Sequence, residues 1–261
     1  MIIPQTPFLQ AAVLQRDKVP TFQSYPFNLP CIAGLNRLEL HPAVTFFVGE
    51  NGSGKSTLLE ALAVKLDMNA EGGAHGLHFA SHDTHSPLHK YLRLERSFGV
   101  RPTDGCFLRA ESFYNVATEL ERIEREFPGK SPFYAYGGKS LHAQSHGESF
   151  LAFLINRLQG GGIYLFDEPE AALSPQRQLS VLAYLHRLVH HHSQLIIATH
   201  SPILLAYPQA WIYQFSESGI ARVDYTDTEH YRVTRDFLNR HERMTHILLA
   251  DEEDDLKKTE R

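Results

Sequence analysis

The stretch that most constrains this chain is Gly49-Glu50-Asn51-Gly52-Ser53-Gly54-Lys55-Ser56-Thr57. It follows Thr45-Phe46-Phe47-Val48, an apolar run that reads as a buried strand. It precedes Leu58-Leu59-Glu60-Ala61-Leu62-Ala63, whose spacing predicts an amphipathic helix. A strand, a glycine-rich turn and a helix opening on Gly-Lys-Ser together predict a phosphate-binding P-loop. Gly49, Gly52 and Gly54 allow positive φ and let backbone N–H groups approach phosphate oxygens. The helix N-terminus adds unpaired donors and the positive end of its dipole. Lys55 supplies a point charge for the β- and γ-phosphates, and the Ser56 hydroxyl is placed to ligate Mg²⁺. A glycine-serine loop matching by chance would have neither the strand nor the helix.

Composition sets few limits on such a chain. Its 261 residues suffice for one large core or two smaller ones, and 43% hydrophobic with 21% charged residues describes an ordinary globular protein. A net charge of −5 gives no overall basic field of the kind that marks nucleic-acid binding. Two cysteines, Cys31 and Cys106, suit a reducing compartment and exclude a disulfide framework. No signal peptide and no apolar run of membrane-spanning length is visible, so the expected location is cytoplasmic. The clusters His82, His85, His89 and His190, His191, His192 lack cysteines at zinc-ligand spacing and read as polar segments.

Around the P-loop the hydrophobic pattern alternates between short strands and longer helices. Leu38 and Leu40 flanking Glu39 suggest a half-buried strand, as does the run Leu92 to Arg96, and Cys106-Phe107-Leu108 suggests an inner one. Val116 to Phe127 reads as a charged helix, and Phe150 to Ile155 opens an apolar one that Gly160-Gly161-Gly162 breaks. Ser174-Pro175 predicts a helix start, with Leu179, Leu182, Leu185 and Val189 facing inward. Leu195 to Ala198 and Trp211 to Phe215 predict further strands, and Glu217-Ser218-Gly219 a hairpin turn into Ala221-Arg222-Val223. Residues 1–250 are expected to form one domain, with a helical insertion at about 70–158 and a charged, disordered tail at 251–261.

Ile163-Tyr164-Leu165-Phe166-Asp167-Glu168 is an apolar strand ending in two carboxylates, the form of a Walker B element. Asp167 can hold Mg²⁺, while Glu168 can polarise the water that attacks a γ-phosphate. Gln144-Ser145-His146-Gly147-Glu148-Ser149 precedes the Phe150 helix, and Ala198-Thr199-His200-Ser201-Pro202 follows a buried strand. This order of motifs resembles the ABC-type ATPases, from the strand before Gly49 to Pro202. Asp167-Glu168-Pro169-Glu170-Ala171-Ala172-Leu173 is similar to the non-transporter branch, the SMC, RecF and OLD-type heads. Phe107-Leu108-Arg109-Ala110-Glu111-Ser112-Phe113 together with Ser145-His146-Gly147-Glu148 resembles a compact family of predicted bacterial AAA/ABC-type ATPases.

The resemblance implies an α/β P-loop NTPase fold with an ABC-type core. Its central sheet would be mostly parallel, with an antiparallel part near the N-terminus and a helical signature subdomain. It implies ATP and Mg²⁺ as ligands, hydrolysis to ADP and phosphate, and a head-to-tail homodimer. Residues Gly49 to Thr57 would bind nucleotide, and Ser145, His146, Gly147 and Glu148 would act in trans as the signature. Glu168 and His200 would be catalytic, and Ser56 and Asp167 would hold the metal. The resemblance places a D-loop at Glu170 to Pro175. The family's usual glutamine between P-loop and signature is missing between Thr57 and Gln144, which leaves Glu111 as a candidate replacement near the metal or a surface carboxylate. Tyr25 or Phe27 could stack on adenine or serve the core. The expected role is a soluble ATPase switch on a protein or nucleic-acid partner; the alternatives are the nucleotide-binding subunit of a transporter and a module that holds ATP without turnover.

Overall fold

A computed structural model describes residues 6–69, 73–74, 86–109, 118, 121–122, 125–126, 146–171 and 173–259. In chain order its elements begin with β1 (Leu9–Leu14), α1 (Pro30–Ala33), β2 (Arg37–Glu39), β3 (Val44–Gly49) and α2 (Lys55–Lys65). There follow β4 (Gly73–Ala74), α3 (Leu88–Tyr91), β5 (Leu92–Arg96) and β6 (Asp104–Arg109). The remainder is α4 (His146–Arg157), β7 (Gly162–Asp167), α5 (Pro175–His190), β8 (Gln194–Ala198), α6 (Pro202–Leu205), β9 (Trp211–Ser216), β10 (Gly219–Val223) and α7 (Glu229–Thr259). The expected α/β architecture is what the chain adopts.

The strands form two sheets. The larger has seven strands in the order β10-β9-β3-β8-β7-β6-β4, of which β9, β3, β8, β7 and β6 run parallel. The smaller is antiparallel, β2-β1-β5, and comes from the N-terminal part as expected. Both faces of the central strands are covered, so β3, β7 and β8 are buried along their whole length. The period of two sorts their side chains. Phe46, Val48, Tyr164, Phe166, Leu195 and Ile197 enter one core with residues of α4 and α5. Phe47, Ile163, Leu165, Ile196 and Ala198 enter the other, with α2 and the small sheet.

One polar side chain joins the two sheets. Gln194 is fully buried; its Oε1 accepts from Leu9 N at 2.8 Å, and its Nε2 donates to Leu9 O at 2.7 Å and His41 O at 3.0 Å. Such a group stays buried without penalty because its amide is satisfied at both ends. At the far ends of β6 and β7, Asp104 accepts from both Arg157 terminal nitrogens at 3.0 Å and from the Tyr164 hydroxyl at 3.0 Å.

Four expectations change. Leu179 lies outside on α5, 49% exposed, while Val181, Tyr184, Leu185, Leu188 and Val189 are buried. The stripe is set by the sheet beneath it and falls beside the one drawn through Leu179. The hydroxyl of Ser174 makes no capping bond, although Ser174 and Pro175 do occupy the cap and first helical positions. Residues 251–259, expected as a disordered tail, are the last part of α7, which departs from helical geometry at Arg240. That segment has no proline or glycine, and Glu253 and Asp254 each stand four residues ahead of a lysine. The expected insertion also narrows, since 92–96 and 104–109 belong to the two sheets. Most of the charged helix expected over 116–127 lies outside the described residues.

Candidate active site

Parallel strands bring their C-terminal ends to one edge, and the site lies there. The register aligns Phe47 with Ala198 and Ala198 with Asp167, so the P-loop, the Walker B carboxylates and His200 leave the sheet side by side. The turn after β3 needs its glycines for two different reasons. Gly49 has φ +143°, and a Cβ on it would lie 2.3 Å from Phe215 O on β9. Gly54 caps α2 in the left-handed region, where a Cβ would lie 2.4 Å from the Cys31 sulfur. Burial pushes the Cys31 thiol up to about 11, so it fills space under the loop as a neutral group.

Lys55 is almost fully buried, and its ammonium donates to Gly49 O at 2.7 Å and Glu50 O at 2.8 Å. Desolvation lowers its pKa, against the pull of Glu168, Asp167 and Glu170. Ser56 donates to Asp167 Oδ1 at 2.9 Å, bringing together the two groups expected at the metal. A hydroxyl and a carboxylate are hard oxygen donors that suit Mg²⁺, which takes most of its other ligands from phosphate and water. No cluster of three or more His, Cys, Asp or Glu able to hold a metal exists among the described residues.

The second oxygen of Asp167 faces Arg109, whose Nε lies 3.4 Å away. Arg109 also reaches Glu60 of α2 at 3.0 Å, and Glu60 accepts from Ser86 N. Arg109 closes β6 opposite Asp167 in the register. Its only sequence signal is that place, one residue beyond the apolar run Cys106 to Leu108.

Glu168 follows Asp167 with φ +52°, in the left-handed region that side chains seldom adopt. Its N–H donates to Ala198 O, and its carboxylate comes 3.4 Å from His200 Nε2. Glu170, in the expected D-loop, accepts from the backbone N–H of His200. Burial raises the Glu170 pKa, opposed by the hydrogen bonds from His200 and Thr199. On its other side, His200 Nδ1 lies 2.9 Å from His230 Nε2 of α7. Neither Glu170 nor His230 was legible as a neighbour of His200, because each reaches it through the fold.

Tyr25 and Phe27 separate cleanly. Phe27 is core, packed edge-on against Tyr91, whereas Tyr25 is 59% exposed with its hydroxyl 3.2 Å from Thr57 Oγ1. Tyr25 shares a cavity of about 390 Å³ with Leu29, Asn51, Gly52, Lys55 and Glu168. Of the expected signature, Gly147 is buried in the first turn of α4, and Glu148 is exposed and accepts from Arg177 at 3.2 Å. The backbone of His146 starts that helix, while Ser145, Glu111 and Ala172 lie outside the described residues.

Two family profiles match this chain. Residues 149–206 match one described as "AAA domain, putative AbiEii toxin, Type IV TA system", and residues 22–101 match one described as "AAA domain". The first spans the Walker B strand and His200, and the second spans the P-loop. The chain carries an ATP-binding domain of the AAA/ABC class of P-loop ATPases. A curated relative is the macrolide export ATP-binding/permease protein MacB of Shigella dysenteriae serotype 1 (strain Sd197). It is 26% identical over 227 residues, covering 77% of this chain and 32% of MacB, so the chain spans about a third of that relative. Among solved structures, the SMC head domain from Thermotoga maritima is 14% identical with a TM-score of 0.42, covering 82% of this chain and 98% of that one. The cbiO1 protein from Clostridium perfringens, part of the ABC transporter complex cbiONQ, is 16% identical with a TM-score of 0.46 over 92% and 98%. At that distance these likenesses assign neither a branch nor a partner.

Proposed function

We propose that this chain binds ATP with Mg²⁺ on the P-loop and hydrolyses it to ADP and phosphate. The observation that carries the reading is the joining of Ser56 to Asp167 at 2.9 Å beside a Glu168–His200 pair at 3.4 Å, on one sheet edge. Lys55 would exchange its loop carbonyls for β- and γ-phosphate oxygens. Glu168 would accept the proton of the attacking water, and His200 would hold Glu168 and the γ-phosphate in place. Ser56 and Asp167 would hold Mg²⁺, which supplies neutralisation of phosphate charge when bound. Arg109, on the far oxygen of Asp167, would fix that carboxylate's orientation. Glu111 stays a candidate for the missing glutamine, and Tyr25 is the better candidate for stacking on adenine.

Binding would close a head-to-tail homodimer in which Ser145, His146, Gly147 and Glu148 of each subunit complete the other's site. The support is the signature-like run directly ahead of α4. The dimer would work as a cytoplasmic switch of the non-transporter branch, on a protein or nucleic-acid partner. A second reading, the nucleotide-binding unit of a membrane transporter, is favoured by the likeness to MacB, itself an ATP-binding/permease protein. No helix of the described residues is long and apolar enough to cross a membrane, so that reading requires a membrane-spanning partner or segment elsewhere. Co-fractionation with a polytopic membrane protein would favour it.

Phosphate release tests the central statement. The wild-type chain should release phosphate from Mg-ATP, and Lys55→Ala should bind ATP roughly 100-fold more weakly by calorimetry while keeping its melting temperature. Undiminished affinity in the folded variant would remove the P-loop assignment.

A further inference from the structure

His200 stands between two groups, and only one of them belongs to the expected motifs. Its Nε2 points to Glu168 Oε1 at 3.4 Å, and its Nδ1 faces His230 Nε2 at 2.9 Å, with the two rings 5.1 Å apart. His230 is the second residue of α7, and that helix's first turn shares a cavity of about 400 Å³ with Gly49, Glu50, Asn51 and His200. His230 Nδ1 and His200 Nε2 are both buried without a hydrogen-bond partner among the described residues.

A hydrogen bond between two imidazole nitrogens holds one proton, so it has two neutral forms. Suppose the proton sits on His200 Nδ1. His200 then turns a bare lone pair to the Glu168 carboxylate, acceptor against acceptor. His230, needing its own proton, carries it on Nδ1 as a buried donor with nothing to receive it, at a cost of about 1–3 kcal/mol. Suppose instead that the proton sits on His230 Nε2. His200 then carries its proton on Nε2, turned toward the Glu168 carboxylate at 3.4 Å, which attracts it although no formal hydrogen bond is made, and His230 Nδ1 keeps only an unused lone pair. The second form has the fewer conflicts.

We propose that His230 is a positioning residue for ATP hydrolysis: its Nε2–H donates to His200 Nδ1 and so holds His200 as the Nε2–H tautomer, a donor aimed at Glu168. This rests on the reading of Glu168 and His200 as the hydrolytic pair. The charges around the pair agree with it. Burial above all, with the neighbouring His200 and Lys55 adding and Glu229 opposing, disfavours a cation on His230, so that His230 is neutral and keeps one ring proton. Glu170 pins the His200 backbone from the other side and leaves the ring to His230.

The full chain tests this in two measurements. The first is long-range ¹H–¹⁵N correlation of histidine-labelled protein without nucleotide, assigned with His200 and His230 variants. In the wild type, His200 should carry its proton on Nε2, and His230→Leu should leave it a mixture of tautomers. His230→Gln, whose amide nitrogen stands in for Nε2, should restore the single form. The second is turnover: His230→Leu should lower kcat about 10-fold with KM for ATP within about two-fold, and His230→Gln should recover most of it. A wild-type His200 protonated on Nδ1, or an unchanged tautomer in His230→Leu, would overturn the proposal. So would an unchanged kcat in His230→Leu, or a loss that Gln does not rescue. A wild type with the Nε2–H tautomer and no phosphate release would instead uphold the hydrogen bond and overturn the hydrolytic reading.

Discussion

Glu168 is held in left-handed backbone geometry by Ala198 O on its own N–H and by the Ala171 N–H on its carbonyl. A non-glycine residue in that region costs of order 1–3 kcal/mol, and its surroundings keep it there. The result is that two successive carboxylates diverge: Asp167 turns to Ser56 and Arg109, Glu168 to His200. At the other end of β3, His41 plays a quieter part. Its Nδ1 accepts from Ala43 N at 3.0 Å and Val44 N at 3.1 Å, just where the P-loop strand begins. Burial, with the Arg222 charge adding, lowers its pKa from the ordinary value of 6.5. The native chain therefore takes up this proton at lower pH than the unfolded chain does. The stability from neutral His41 is full above its ordinary pKa and is lost as pH falls through that value toward the folded one. His41→Asn keeps an acceptor and has no proton to gain. Its melting temperature should fall less than the wild type's between about pH 7.5 and about pH 5.5. Parallel slopes would show that this proton is not coupled to folding. Residues such as Lys55, Ser56, Asp167 and His200 were legible because a few neighbours along the chain announce them. Arg109, Glu170 and His230 were not, since only the meeting of β6 with β7, or of α7 with β8, gives them partners.

At the scale of elements, continuous apolar runs such as Ile163 to Phe166 and Leu195 to Ala198 identify themselves as inner strands, because both faces are buried. Helix faces are harder to read from pattern alone. On α5 the apolar residues include Leu179, Val181, Leu182, Leu185, Leu188 and Val189, which is more than one stripe can hold. Which of them go inside is decided by the sheet. Leu185, fully buried against the first core, should cost about 2–5 kcal/mol when replaced by alanine. Leu179→Ala, on the exposed flank, should stay within about 0.5 kcal/mol by urea denaturation. Equal losses would restore the stripe drawn from sequence.

For the whole molecule, the question is what closes over the exposed nucleotide cleft. Glu168→Gln keeps the shape of the side chain and removes its capacity as a base, so ATP should bind while turnover falls by roughly 10²–10⁴-fold. Size-exclusion chromatography should then show a monomer without nucleotide and a dimer with Mg-ATP. Adding Ser145→Arg on the same chain should return the monomer while ATP still binds, since the arginine obstructs the neighbour's γ-phosphate and leaves its own P-loop untouched. A Glu168→Gln chain that stays monomeric at saturating ATP would defeat the trans role of Ser145 and Gly147.

The amide of Gln194, which fastens Leu9 to β8, also sets an order on the making of the protein. β1 can pair with β2 and β5 once residue 96 is out of the ribosome, yet the N–H and C=O of Leu9 find their partner only across 185 residues of chain. α2 can cover the apolar side of the small sheet earlier, but the tie from Leu9 to the large sheet forms only once β8 is laid between β3 and β7. Closing so long a loop is slow and comes late. β1, paired early within its own sheet, is therefore fastened to the large one only after the chain from Arg96 to Gln194 has been made.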